Sequence, residues 1–216
     1  MYNVVLYVHV LALVYWLGGD LGTFLSSRHV LRSELGVESR QTAFNILMEC
    51  DMGPRLAMPL ILGSGFHLSS LRWPGLLPDG TALIGWLVVM VWVALVAAIH
   101  SSVGQRFPSL TQWDLRLRFA VVGGLLGVGG YAFTIGLPGW LALKITIFAT
   151  LVACGIAVRF ALKPFAIAYA SMITDGPTDE KNAAMITHMS VVRRYVWVIW
   201  IGVFVNTALG LHVITF

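Results

Sequence analysis

Six long apolar stretches are the feature of this sequence that most limits what it can fold into. A helix needs about 20 mostly apolar residues to cross a bilayer, whereas a membrane strand shows about ten residues of alternating polarity. The stretches are continuous rather than alternating, and they cover about 3–26, 54–71, 82–103, 117–137, 139–162 and 191–214. We therefore predict an all-α, polytopic membrane helix bundle with about six transmembrane helices.

The composition supports a single bundle without a soluble domain. Only 11% of the 216 residues are charged and 58% are hydrophobic, whereas soluble domains carry about 25% charged residues. We predict one transmembrane bundle over 1–216, with two interfacial, partly helical connections at about 27–53 and 163–190. Turn chemistry marks two breaks, one with Trp73-Pro74-Gly75 and Pro78-Asp79-Gly80, and one with Pro138-Gly139.

The distribution of Lys and Arg predicts the orientation, because bases are enriched on the cytoplasmic side. With both termini outside, only Arg72 and Lys144 lie on the outer side. Twelve bases then lie at the cytoplasmic side: Arg28, Arg32, Arg40, Arg55, Arg106, Arg116, Arg118, Arg159, Lys163, Lys181, Arg193 and Arg194. These bases are separated by apolar segments, so we expect no nucleic acid partner. The first 27 residues lack a basic region, and we expect the first helix to be retained rather than cleaved.

Two histidines are predicted to lie at one depth on different helices. His9 is about six residues inside the first span, and His67 is a similar number from the outer end of the second, so both lie roughly 10 Å below the outer boundary. Ionisable groups within a bilayer are functional candidates, and two imidazoles can hold one haem iron. The sequence thus predicts a haem b site with His9 and His67 as metal ligands. Gly63, one turn from His67, would let a flat macrocycle approach the backbone. The alternative is that each histidine only bonds a neighbouring helix.

Other polar groups in the spans are further candidates. His212 is a shallower potential metal ligand, although an interfacial position accounts for it better. Lys144 enters the same outer layer and is a catalytic candidate, with snorkelling to the headgroups as the alternative. Arg72 is the other outer cation and a candidate for cofactor binding.

An acid and an arginine are predicted near the cytoplasmic side. Asp20 shares a face with His9, and Trp16 lies between them as a candidate cofactor contact. Arg55 is at similar depth and is the expected partner of Asp20. We expect a structural ion pair, with a proton path or substrate contact as the alternative that makes both residues catalytic candidates.

The soft ligands are few. Cys50 and Cys154 have no CxxC spacing, and no C-x-x-C-H is present, so a covalent c-type haem is excluded. Met48, Cys50 and Met52 are a potential copper cluster, but they lie on the predicted cytoplasmic side.

Four segments, in order along the chain, resemble a known family. They are HVLALVYWLGG from His9, MGPRLAMP from Met52, WLALK ending at Lys144, and VRRY from Val192. Together they resemble the helices of HemJ-type protoporphyrinogen oxidases and CopD-like membrane proteins. The resemblance implies a b-type haem and functional roles for His9 and Lys144. HemJ-type proteins have about four spans, so the third and fourth spans resemble an insertion.

These features lead to one functional hypothesis and two rivals. We expect a haem-b redox protein of a bacterial inner membrane that passes electrons from a donor to an acceptor such as quinone. A soluble or membrane redox partner, a homo-oligomer and protoporphyrinogen oxidation are compatible with it. The rivals are a CopD-like copper-uptake permease and a membrane anchor subunit for a soluble dehydrogenase.

Overall fold

The structure is a computed structural model that describes residues 1–75, 80–134 and 137–214, and these residues form helices joined by short connections. No strand occurs within those ranges, which confirms the all-α, polytopic class. The helices are α1 (Tyr2–Val30), α2 (Val37–Arg72), α3 (Thr81–Ile99), α4 (Ser102–Arg106), α5 (Leu110–Thr134), α6 (Gly139–Asp175) and α7 (Asp179–Gly210).

Five of these helices are long and apolar enough to cross a membrane: α1, α3, α5, α6 and α7. The chain is thus a multi-pass membrane protein whose apolar helices contact the lipid bilayer. The predicted span 54–71 lies in α2, which is long enough but does not meet the same apolarity. Arg55, His67 and several serines reduce its apolar character. The total of six spans, and with it the topology, stays a prediction.

The helices extend beyond the predicted spans. Connection 27–53 is helical except around the turn that joins α1 to α2, and connection 163–190 is helical except at residues 176–178. His29 and His188 are therefore helical rather than loop residues. In contrast, the third helix ends at Ile99 rather than near residue 103. Hydropathy detects only the part of a helix that lipid can cover, and polar helical extensions give no such signal.

Turn residues end the helices where the sequence predicted. Pro138 is the N-cap of α6, which begins at Gly139. Gly75 and Gly80 adopt φ of 81° and 85°, a left-handed conformation that favours glycine. Pro78 and Asp79 lie outside the described residues.

Two compact units divide the chain, Met1–Asp114 and Leu115–Phe216. In the first unit α1 packs on α2, and α2 packs on α3. In the second unit α6 packs on α7. The predicted single bundle over 1–216 stays a prediction, and each unit is described here by itself.

Close backbone contact holds α1 against α2. A Cβ built on Gly19 would lie 2.5 Å from Pro54 Cδ and 2.7 Å from the Cys50 carbonyl oxygen. One built on Gly22 would lie 2.7 Å from Cys50 Sγ. Small residues that admit a neighbouring helix are typical of membrane interfaces. Gly19 and Gly22 therefore allow the close approach of α2, whereas a Cβ built on Gly18 has no atom within 4 Å.

A buried arginine closes the α1–α2 turn. Arg40 is fully buried, and its Nε donates to the backbone oxygen of Val30 over 2.8 Å. Val30 is the last residue of α1, where backbone carbonyls lack helical donors and a cation is favourable. Arg40 thus caps the helix that precedes its own.

The α6–α7 hairpin has a lysine in the corresponding place. Lys181 Nζ donates to the backbone oxygens of Ser171 and Gly176, over 3.0 and 3.1 Å, and lies 3.3 Å from Asp175 Oδ2. At 37 residues, α6 is about 55 Å long, so it exceeds a hydrocarbon core of about 30 Å. Part of α6 therefore extends beyond the hydrocarbon core.

Candidate functional site

His9 contacts a serine of the next helix. His9 Nδ1 lies 2.8 Å from Ser64 Oγ, and Ser64 Oγ lies 2.6 Å from the Leu60 backbone oxygen, which can only accept. When Ser64 donates its one proton to Leu60, Ser64 Oγ accepts from His9, and Nδ1 carries the imidazole proton. The lone pair of neutral His9 is then at Nε2, which is the nitrogen that ligates a metal when Nδ1 is held by a second group.

His67 has the opposite arrangement. Trp86 Nε1 donates to His67 Nδ1 over 3.1 Å, and the two rings meet edge to face with centroids 6.4 Å apart. An indole N–H can only donate, so His67 Nδ1 accepts and the proton of the neutral ring is at Nε2. Ligation through Nε2 would require His67 to lose that proton or to release Trp86.

The two histidines lie at nearly one depth but face different helices. The α2 residue that binds His9 is Ser64, three positions before His67, which corresponds to about 4.5 Å along the helix. His9 lies on the α1 side of α2, where its Cε1 is 3.5 Å from a Cβ built on Gly65. His67 faces α3. The depth argument is consistent with this geometry, and joint ligation of one centre by the two rings stays a prediction.

Gly63 is covered by α3. A Cβ built there would lie 2.5 Å from Val89 Cγ2 and 3.5 Å from Trp86 Cε3. Gly63 does share the face of His67, as the spacing predicts. Because helix–helix packing fills that face, the predicted approach of a macrocycle at Gly63 is not matched by the structure.

The predicted Asp20–Arg55 pair is wrong. Arg55 forms an ion pair with Asp51, one turn earlier in α2, and Nε donates to Asp51 Oδ2 over 2.6 Å. Arg55 also lies 3.4 Å from His100 Nε2. Asp20 accepts from Trp16 Nε1 over 3.0 Å, and Trp16 is almost completely buried. A contact within one helix needs no precise docking of two helices. Arg55 and Asp20 each bind a residue of their own helix, four positions earlier.

The outer candidates Arg72 and His212 are exposed. Arg72 lies over the ring of Trp73, 5.9 Å from its centroid. His212 follows α7 with a φ of 55° and meets the ring of Trp140 edge to face at 4.9 Å. His212 therefore belongs to the second unit, at the α6–α7 end, and its aromatic contact suits an interfacial residue.

Lys144 lies between α6 and α7. Its Nζ occupies the space next to Gly210, where a built Cβ would collide with it. Asn206, one turn earlier in α7, donates from Nδ2 to the Lys144 backbone oxygen over 3.2 Å. Among the described residues, no acid forms an ion pair with Lys144.

Metal ligands do not cluster in the described ranges. No group there contains three or more His, Cys, Asp or Glu side chains placed to hold a metal ion. In the potential copper cluster, Cys50 Sγ is turned to Gly22 of α1, and Met48 is exposed on α2.

Sequence reasoning missed three polar partners. Ser64 and Asn206 are uncharged, so they lack the ionisable group that makes a histidine or a lysine conspicuous in an apolar stretch. Asp114 is buried in the first unit and accepts from Trp92 Nε1 over 3.3 Å. Asp114 precedes the predicted fourth span, so it was not treated as a buried residue. A search for every polar side chain flanked by apolar residues would have found Ser64 and Asn206.

No family model matches this chain, and no curated protein or solved structure is significantly similar to it. The resemblance to HemJ-type and CopD-like proteins therefore stays a prediction.

Proposed function

We propose that this multi-pass membrane protein is a redox protein that holds a non-covalent b-type haem through His9. The observation that supports the proposal is the His9–Ser64–Leu60 hydrogen-bond chain, in which donation by Ser64 to Leu60 leaves the His9 lone pair at Nε2, as ligation through that atom requires. Histidines that ligate metals commonly donate their other N–H to a second group. The haem, when bound, would supply one-electron chemistry.

The other candidate residues take secondary roles in this proposal. Ser64 is a positioning residue, because it acts on the metal only through His9. His67 would help to hold the haem only if it lost its Nε2 proton or released Trp86. Arg55 and Asp20 have structural partners, so we assign neither of them a catalytic step.

The protein would transfer electrons from a donor to a membrane acceptor such as quinone in a bacterial inner membrane. We favour an electron carrier over protoporphyrinogen oxidation. The four spans of HemJ-type proteins leave no counterpart for α3 to α5, and these additional helices offer a docking surface for a redox partner. Lys144, at the outer end of the second unit, stays a candidate catalytic residue. Copper uptake is the weaker candidate, since Cys50 packs against Gly22.

The first experiment is a reduced-minus-oxidised visible spectrum of the purified protein made with ample haem supply. We expect b-type bands, loss of haem in His9→Ala, and retained haem with a shifted redox potential in Ser64→Ala. Loss of the hydrogen-bond partner of a metal-ligating histidine typically lowers metal affinity about 10–100-fold. His29→Ala and His188→Ala serve as controls and should leave the spectrum unchanged. A colourless protein would refute the proposal.

The role of His67 needs a separate pair of variants. Trp86→Phe keeps an aromatic ring but removes the donor, so it should favour ligation by His67 and increase the low-spin fraction. His67→Ala should change the spin state only if His67 is a ligand. An unchanged spin state in both variants would leave His9 as the sole protein ligand.

The oxidase and carrier readings differ in their electron donor. Protoporphyrinogen added anaerobically, with a quinone present, should leave the haem oxidised if the protein is a carrier. Haem reduction followed by quinone-dependent porphyrin formation, lost in Lys144→Ala, would establish the oxidase.

A further inference from the structure

The second unit carries a cation within the membrane that no acid of its own unit can neutralise. Residues 115–216 contain three acids, Asp175, Asp179 and Glu180, and all lie near the α6–α7 turn. Asp175 is 31 positions after Lys144, or about 46 Å along α6. An ionisable side chain in a membrane span is expensive, so it is expected to face a partner or a ligand.

Asn206, whose side chain contacts the Lys144 backbone, has a buried oxygen. Its side-chain amide orientation is fixed, because the Lys144 backbone oxygen can only accept and so must face Nδ2. Asn206 is 8% exposed, and its Oδ1 has no hydrogen-bond partner among the described residues. A buried acceptor without a donor is rare and calls for an explanation such as a ligand.

The two groups define the chemistry of what fits between them. Lys144 Nζ lies beside Gly210, one turn beyond Asn206 on the same face of α7, so a cationic donor and a neutral acceptor are about 6 Å apart along the helix. A bare anion would accept hydrogen bonds from Lys144. It could not donate one to the Asn206 oxygen, which is itself an acceptor. A fitting ligand must both accept and donate a hydrogen bond, and it must be soluble in lipid.

We propose that Lys144, Asn206 and Gly210 form a binding site for the head group of a membrane quinone. A hydroxyl of the reduced ring accepts from Lys144 Nζ and donates its proton to Asn206 Oδ1, whereas the oxidised ring offers Lys144 a carbonyl acceptor only. Trp140 lies on the same face of α6 as Lys144, one turn closer to the helix start, and gives the ring an apolar neighbour. The glycine leaves room for the lysine end.

This assignment rests on the proposed redox function for its purpose, since a quinone needs an electron donor. Its test does not depend on haem, because binding is measured directly. Haem absorbance recorded on the same samples separates the two failures. Lost quinone binding with intact haem overturns only the quinone site, and absent haem with intact quinone binding overturns only the haem proposal.

The experiment uses the full chain in nanodiscs of phosphatidylcholine and a photoreactive azido-benzoquinone with a decyl tail. Decyl-substituted benzoquinone and its quinol compete for labelling, and mass spectrometry locates the label. We expect labelling on the ends of α6 and α7 near Lys144 and Asn206. Lys144→Met should weaken quinone competition about tenfold, the typical effect of losing a charged hydrogen bond.

Two further variants protect the test from misfolding. Asn206→Leu should weaken competition by the quinol more than by the quinone, a ratio that a general loss of structure would not change. Gly210→Ala should displace the flexible lysine end and weaken binding although alanine favours a helix. Gly130→Ala is the matched control, because a Cβ at that exposed helical glycine meets no atom within 4 Å.

Three results would overturn the site. One is equal competition in Lys144→Met and in the unchanged protein. Another is a label confined to the first unit. The third is labelling that phosphatidylglycerol abolishes and decyl-benzoquinone does not, which would mean that Lys144 binds a lipid phosphate.

Discussion

The α1–α2 and α6–α7 hairpins end in the same kind of contact, but one is buried and the other is open to solvent. In each, a basic residue of the second helix binds a backbone oxygen ten positions earlier, Arg40 to Val30 and Lys181 to Ser171. Arg40 is fully buried, whereas the Lys181 side chain is 20% exposed and pairs with an exposed acid, Asp175. The contact is thus part of the core in the α1–α2 hairpin and partly exposed at the surface in the α6–α7 hairpin.

The helix interfaces differ in the same sense. In α1–α2, Gly19 faces the Cys50 backbone oxygen and the proline ring of Pro54, which cannot move aside. In α6–α7, Gly202 faces Leu151 Cδ2, the flexible end of a side chain. A base after a turn and a glycine in a span therefore predict that two helices make contact. They do not predict how rigid that contact is.

The largest effect we expect concerns the side of the membrane on which the two hairpin turns lie. Six spans require both turns to be cytoplasmic, whereas five spans without α2 would put them on opposite sides. Glu34→Cys and Pro177→Cys, each in a Cys50→Ala, Cys154→Ala background, should react with an impermeant maleimide only in opened cells. Val213→Cys is the control and should react in intact cells. Labelling of one turn in intact cells would refute the crossing by α2.

The next effect is on stability at the turns. Arg40→Met should lower the free energy of unfolding by about 2–3 kcal/mol, because buried carbonyl oxygen loses a charged donor. Lys181→Met should cost no more than about 1 kcal/mol, because its ion pair is partly exposed. Reversible unfolding in mixed micelles, followed by circular dichroism, measures both. Equal losses would show that burial does not distinguish the two contacts.

The smallest effects are at the glycines. Gly19→Ala should cost about 2 kcal/mol through overpacking against a fixed backbone. Gly202→Ala should cost less than about 1 kcal/mol, since Leu151 can change its rotamer. Gly18→Ala is the matched control in α1 and should change stability by no more than the helix preference of alanine, up to about 1 kcal/mol in its favour. The same unfolding assay applies, and the order Gly202 above Gly19 in cost would contradict the interface comparison.

The sequence predicted the helices well because long apolar runs and turn residues are local signals. It placed the helix starts poorly where polar residues continue a helix, as in α2 from Val37. The burial of Arg40 and its bond to Val30 could not be predicted, because a base in a connection has no expected partner until the turn geometry is known.

The candidate site was predicted less completely. Depth counting put His9 and His67 within one turn of each other, but rotation about α2 decides which neighbour each ring meets. That rotation depends on packing, as the contacts of Gly63 with Val89 and Trp86 show. The Asp20–Arg55 pairing failed for a related reason, since equal depth does not select between a partner on another helix and one four residues away.

The contact of Gly19 with α2 has a consequence for how this sequence can change over evolutionary time. Pro54 has no N–H, so it cannot supply the usual helical donor to the Cys50 carbonyl oxygen. The hydrogen that Gly19 carries in place of a Cβ points at that same oxygen, and a weak C–H···O contact can partly replace the missing bond. A lineage that keeps the proline is therefore expected to keep the glycine as well, because both the packing and the weak contact depend on the missing Cβ.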